Sequence, residues 1–510
     1  MLEISGSNVG LREVWNASLG TEKYTLSVQA KAQMEASYNF IQQEIARGEV
    51  IYGVNTGFGS LSSIRISDTD IETLQTNIIR SHSSGIGKPF SKEQSRAIMF
   101  LRANALSKGH SGIRPHVVDK ILEFLNADVI PVIPSQGSVG ASGDLAPLAH
   151  LALTLIGEGE VWQNGAIVSA EESLRKHGIK PLQLKAKEGL SLINGCQVMT
   201  AVGFLHAYRA KRLLEISDVA GAMSLDALMG SRSAFDPLIS ASRPHLGEQK
   251  TARNLSKILG TSSTLSEAHA SCNRVQDPYS LRCMPTVHGA AKDALSTALN
   301  VLTIEANSST DNPLVFAEEG KILSGGNFHG EPVAFQLDFL AIALSAIGSI
   351  SECRIEKLIN PAMNYGLPPF LAKNPGLNSG MMIVEVAAAS LVSENKIYSH
   401  PASVDSIPTS ADKEDHVSMG TIAARKFGKI TDNVEHILAM ELLCASQALD
   451  LRRPLKSSDE IEKIHSSIRK VVPFADTDRV FAHDINAIVS IINSNELTDI
   501  IHREIGELEW

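Results

Sequence analysis

GSVGASGDLAPL, residues 137–148, is the stretch from which the rest of the chain is read. Gly137, Gly140 and Gly143 crowd around Ser142, Asp144 closes the run, and an apolar segment follows. A phosphate-binding loop would carry a Lys-Ser/Thr pair after the glycines. Asp144 and Leu145 stand there instead, and the carboxylate would repel phosphate. A nucleophile elbow needs Gly-x-Ser-x-Gly, and neither Ser138 nor Ser142 has both glycines. Two readings survive. One is a tight loop leading into a helix capped near Asp144. The other is chemical. Glycine has no side chain, so the Gly143 nitrogen can approach the Ala141 carbonyl. Attack, loss of water and dehydration of Ser142 would leave a five-membered ring with an exocyclic methylidene, a strong electrophile made from backbone.

The surrounding chain narrows the class. Its 510 residues are 43% hydrophobic and 20% charged, ordinary for a globular protein with two or three cores. Aromatic residues make up only 5%, and abundant Ala, Leu, Ser and Ile lean towards helices. The net charge of −10, with no Lys/Arg run, points away from nucleic acid and from anionic membrane as partners. No window is expected to reach the ~20 apolar residues of a spanning helix, and no signal-like N-terminus is evident. Five scattered cysteines (Cys196, Cys272, Cys283, Cys353, Cys444) fit a reducing cytoplasm. Neither CxxC nor HExxH occurs, so no metal site is expected.

Proline and glycine punctuate the first 190 residues or so, where VIPVIP (129–134) and GAIVS (165–169) look like short strands. After Asn194 the character changes. No proline falls between Pro181 and Pro237, Pro332 and Pro361, or Pro408 and Pro454, and each gap can hold a long helix. Val198, Val202 and Leu205 recur at helical spacing, with Arg209, Lys211 and Arg212 further on. AFQLDFLAIALSAIGSISECRIEKLI (334–359) is apolar nearly all round over much of its length, the mark of a buried helix. These features predict a mainly α protein: a smaller mixed N-terminal domain over 1–195 and a long-helix bundle over 196–510.

GSVGASGDLAPLAHLAL resembles the signature of the aromatic amino acid ammonia-lyases, whose prosthetic group is the methylidene-imidazolone described above. The resemblance runs along nearly the whole chain, through YGVNTGFGSL (52–61), LINGCQVMT (192–200), VQDPYSLRC (275–283), DNPL (311–314), GGNFHG (325–330), GLNSG (376–380) and EDHVSMG (414–420). It implies a mainly α fold of the ammonia-lyase/fumarase kind, a homotetramer with active sites built from several subunits, and elimination of ammonia and a β-proton from an aromatic amino acid. The cofactor would arise autocatalytically from Ala141-Ser142-Gly143, with no metal or dissociable cofactor.

The same resemblance assigns roles. Tyr52 would be the base. A free tyrosine has a pKa of about 10, so its surroundings would have to favour the phenolate. Arg282 would clamp the substrate carboxylate with its planar fork, beside Gln276. Tyr279 would orient ammonia or assist ring chemistry. Asn194 would hydrogen-bond the imidazolone oxygen, and Phe328 would line the pocket against the ring.

Substrate choice rests on two positions. The resemblance implies that Ser81-His82 is the pair that reads the side chain, and His82 would suit an imidazole or a phenol over phenylalanine. Glu414 matches the histidine branch, where a carboxylate can pair with imidazole. Asp412-Lys413 stands where Asn-Gln is expected, Thr286 where Gln is common, and Cys196 where Thr is usual. Lys413 would either point away or neutralise Glu414. The expectation is conversion of L-histidine to trans-urocanate and ammonia. The alternatives are a tyrosine ammonia-lyase giving p-coumarate, a 2,3-aminomutase, or a catalytically dead scaffold.

Overall fold

The computed structural model describes residues 1–67, 69–270, 272 and 274–510. As the proline gaps and composition predict, it is mainly helical. The three gaps hold the helices Gln197–Ala227, Glu331–Ile359 and Gly420–Leu451. A fourth long helix, Met284–Ala306, carries Pro285 in its first turn, where the missing N–H costs nothing.

Two compact units form. One gathers Met1–His206, Ala298–Asp338 and Pro401–Arg425; the other gathers Ala207–Thr297, Phe339–His400 and Lys426–Trp510. A single cut at 195 does not describe this division. The chain comes back to the first unit twice after leaving it, and the returning segments carry DNPL, GGNFHG and EDHVSMG.

Local chemistry sets the elements of the first unit. Ser91 and Gln94 form a reciprocal capping box that starts the helix Lys92–Ser107. Pro115 opens Pro115–Asn126. The strand-like GAIVS pairs as Ala166–Ser169 with Glu160–Gln163, antiparallel, with Trp162 opposite Ile167. Asn164 and Gly165 turn that hairpin, both at positive φ, as a two-residue turn of this kind requires. VIPVIP supplies Ile130–Pro131, on the far side of Glu160–Gln163, and the start of Pro134–Gln136.

Charges are buried in pairs in the second unit. Arg354 grips Glu441 bidentately at 2.6 and 2.8 Å, and Ser224 and Ser351 donate to the same carboxylate. Asp218 takes His288 at 2.8 Å and Lys292 at 2.6 Å. Each buried charge thus has a partner of opposite sign, without which its desolvation would be costly.

One expectation is corrected. The helix Glu331–Ile359 is long and apolar enough to cross a membrane by length and composition. Only half of its most apolar window is buried within the protein, and Phe335, Phe339 and Ile342 are exposed, so the helix is not covered on every side as its composition predicts.

Candidate active site

Tyr52 lies in a turn tied at several points. Asn55 accepts from the Ile51 amide and donates to the Glu49 carbonyl, each at 2.8 Å, and Thr56 accepts from the Gly53 amide at 3.1 Å. Gly53 sits at φ +68°, where an added Cβ would stand 2.2 Å from Leu190 Cδ2. Both the conformation and the space therefore require glycine. The turn brings the Tyr52 hydroxyl to the Gly59 amide, from which it accepts at 3.2 Å.

The 137–144 segment is held just as closely. Gly140 and Gly143 have φ of +73° and +74°. A Cβ on Gly140 would lie 2.2 Å from Ser418 Oγ, and one on Gly143 would lie 2.2 Å from the Gly195 carbonyl oxygen. Asp144 donates its amide to that same carbonyl at 2.7 Å. Its side chain does not cap the helix Leu145–Leu155, contrary to the capped-loop reading. It accepts instead from the Val198 and Met199 amides, each at 2.9 Å, and from Thr421. It thus caps the start of Gln197–Ala227, whose exposed amides and dipole favour a carboxylate. Burial pushes the Asp144 carboxyl up to about 6, against those hydrogen bonds.

A cavity of about 660 Å³ opens over Ser142, within the usual range for small-ligand sites. Tyr52, Ala141, Asn194, His82, Phe328 and Glu414 line it as well. Ser142 Oγ donates to Glu414 Oε1 at 3.0 Å, and Thr409 Oγ1 donates to Glu414 Oε2 at 2.8 Å. The loop carrying Glu414 is closed by mutual backbone hydrogen bonds of Thr409 and Glu414. Ser410, Ala411 and Asp412 inside it all adopt left-handed φ of 53–63°. That conformation costs about 1–2 kcal/mol per residue, so the loop's shape is imposed by its surroundings. Lys413 lines the cavity too, yet among the described residues it makes no ion pair with Glu414. His82 ends the helix Ile71–His82, with Nδ1 3.1 Å from Ser81 Oγ. Burial lowers the His82 pKa, against a raising pull from Glu414, so its neutral form is favoured.

Asn194 differs from expectation. Its Nδ2 already donates to Asp311 Oδ1 at 3.3 Å and to the Asn312 carbonyl at 3.2 Å. What remains is Oδ1, buried without a hydrogen-bond partner. The free group is therefore an acceptor, suited to an incoming N–H rather than to a ring oxygen.

Sequence reading missed the layer beneath. Lys187 and Ser191 donate to Asp311 Oδ2 at 2.7 and 2.8 Å. Burial lowers the Lys187 pKa; burial also works against ionised Asp311, but Lys187 and Arg102 hold its carboxyl below the usual range. Cys196 donates to the Phe328 carbonyl at 3.0 Å, a bond that the hydroxyl of the expected Thr would also make. Burial pushes the Glu305 carboxyl up to about 7, against a lowering pull from Cys196, and its buried Oε1 has no hydrogen-bond partner among the described residues. DNPL was a visible signal for Asp311, whereas nothing in the local pattern marks Glu305.

Three predicted residues are not in this cavity. Gln276, Tyr279 and Arg282 belong to the second unit and gather with one another. Arg282 donates to Gln276 Oε1 at 3.1 Å and to the Asp277 carbonyl at 3.0 Å, and its guanidinium lies 4.6 Å from the Tyr279 ring centre. Tyr279 is 70% exposed.

Residues 9–470 match the family described as aromatic amino acid lyase. A histidine ammonia-lyase of Stigmatella aurantiaca is 49% identical to this chain over 500 residues, with 98% of each covered. The crystal structure of histidine ammonia-lyase from Trypanosoma cruzi matches with a TM-score of 0.91 and 44% identity, over 98% of this chain and 95% of that one. Tyrosine aminomutase from Streptomyces globisporus matches over the full length of both chains, with a TM-score of 0.94 and 36% identity.

Proposed function

The chain belongs to the aromatic amino acid lyase family, and from that premise we infer that it is a carbon–nitrogen lyase converting L-histidine to trans-urocanate and ammonia. The observation that carries the reading is the meeting of Ser142 and Glu414 at 3.0 Å in a cavity shared with Tyr52 and His82. One carboxylate thus stands beside both the ring-forming serine and a histidine poised to face a side chain.

The residues present fit a methylidene-imidazolone. Gly143, whose nitrogen must close the ring, has no room for a Cβ. Ser142 lines the cavity that would receive the substrate. Formed from Ala141, Ser142 and Gly143, the ring would supply an electrophile that turns the amine into a leaving group. The rest falls to side chains. Tyr52 takes the β-proton; its hydroxyl is positioned by the Gly59 amide. Asn194 Oδ1 accepts from the substrate amine. Glu414 pairs with the imidazole, and neutral His82 hydrogen-bonds it. Phe328 packs against the substrate.

A neighbouring subunit supplies the carboxylate clamp. Arg282, Gln276 and the exposed Tyr279 are preassembled outside the cavity, and in a homotetramer they complete another copy's site. Ile383, Val386 and Ile397 support such an assembly: they are 66%, 52% and 71% exposed along one face of the helix Met382–Tyr398. The setting is cytoplasmic, in keeping with five free cysteines.

Intact mass and turnover test the reading together. The wild-type protein should be lighter than its sequence by two waters and should release urocanate. Ser142→Ala should keep its fold, lack the mass deficit and lose activity. Full activity in Ser142→Ala would overturn the proposal.

A further inference from the structure

A second constellation lies on the wall of the same cavity. His329 and His416 both line it, with rings parallel to within 3° and centroids 5.8 Å apart. Between them reaches Glu331, the first residue of the helix Glu331–Ile359. Its Oε2 lies 3.9 Å from His329 Nδ1 and 4.0 Å from His416 Nε2. These distances are too long for hydrogen bonds. That oxygen is buried and has no hydrogen-bond partner among the described residues. A first-turn position suits an acidic residue, but it does not explain why the acid aims an unpartnered oxygen between two imidazoles.

We propose that His329, Glu331 and His416 form a three-ligand site for a divalent cation of the zinc class. Three observations converge on it. The donor set is two imidazoles and a carboxylate, which such ions take with an open fourth position. The donor atoms lie within 4.8 Å of one another. Tetrahedral zinc needs them about 3.3 Å apart, so side-chain rotation must move the widest pair by roughly 0.7 Å each to close the gap. The tautomer is also set. His329 Nε2 lies 3.2 Å from the His416 carbonyl, which can only accept, so Nε2 carries the proton; the Nδ1 lone pair then accepts from the Glu331 amide at 3.4 Å, a long contact that a bound cation would displace. That backbone contact is the outer hydrogen bond metal-bound histidines commonly make. The chain has no HExxH because the ligands are distant in sequence; folding alone brings 329–331 to 416. The sequence expectation of no metal is thereby revised. The open position faces the cavity, since both imidazoles line it. This site does not depend on which amino acid the enzyme deaminates.

The test uses the full-length protein, stripped with a chelator and titrated calorimetrically with zinc chloride. Cobalt(II) serves as a spectroscopic stand-in, through the visible bands of a low-symmetry site. We expect one stoichiometric site per chain. Glu331→Gln, which keeps the shape, and His416→Ala, at a residue whose side chain is 70% exposed, should each weaken it at least about 100-fold and abolish the cobalt bands. Melting curves matching wild type would show that the variants fold. Wild-type stoichiometry and cobalt spectra in both variants would overturn the proposal, as would the absence of any stoichiometric site in the wild type.

Discussion

Ser142 donates its hydroxyl to Glu414 across 3.0 Å, although 272 residues separate them in the chain. Thr409 holds the other carboxylate oxygen at 2.8 Å. Glu414 is thus fixed beside the reacting centre, and Lys413 lines the same cavity without making an ion pair to it among the described residues.

The first prediction concerns that carboxylate. Glu414→Gln keeps the volume and removes the charge. A charge-assisted bond to the substrate imidazole contributes about 1.5–3 kcal/mol. We expect kcat/KM for histidine to fall at least tenfold, with a smaller change for phenylalanine. Steady-state kinetics on both substrates check this; equal losses would remove the imidazole pairing.

The second concerns Arg282, which lies outside the cavity lined by Ser142. Arg282→Lys keeps the charge and loses the bidentate fork, so kcat/KM should drop by one to two orders of magnitude. If the clamp comes from a neighbouring copy, co-expressing Arg282→Lys with Ser142→Ala should restore part of the activity in mixed assemblies. No recovery in purified hetero-assemblies would place the clamp within one chain.

The third is a pH dependence. Burial raises Glu305 from its ordinary 4.5 to about 7. A carboxyl raised on folding binds its proton more tightly in the native state, so it stabilises at low pH. That stability is lost as pH climbs from about 4.5 to 7. Glu305→Gln removes the effect. The variant should match wild type near pH 4 and exceed it by roughly 1–3 kcal/mol at pH 8. Urea unfolding at both values measures the difference, and a gap that does not grow with pH would contradict the assignment.

The fourth asks what Cys196 does. Its thiol donates to the Phe328 carbonyl at 3.0 Å. Cys196→Thr should keep that bond and near-normal turnover. Cys196→Val should leave the carbonyl unpaired, costing about 1–3 kcal/mol and raising KM as Phe328 shifts. Melting temperatures and KM of both variants decide; identical behaviour would make the bond irrelevant.

Local chemistry was legible and distant partnership was not. The proline-free gaps located three long helices because proline within a helix costs a hydrogen bond and a clash. GAIVS read as a strand because its turn residues sit beside it. The ring-forming triad could be read because it needs only adjacent atoms. Asp144 looked like a cap for its own helix, but its carboxylate found the amides of Val198 and Met199, a choice made by tertiary packing. The left-handed run Ser410–Asp412 left no glycine as a marker. Asn194 was recognised as a site residue, while the direction of its amide depended on Asp311, 117 positions away.

The pairing of Glu414 with an imidazole is tested most directly by the choice of substrate. Purified protein would be given L-histidine, L-tyrosine and L-phenylalanine separately, with ultraviolet absorbance and chromatography of the products. We expect urocanate from histidine, with kcat/KM at least about a hundredfold above that for either other substrate. Coumarate from tyrosine as the main product, or a β-amino acid in place of an unsaturated acid, would contradict it.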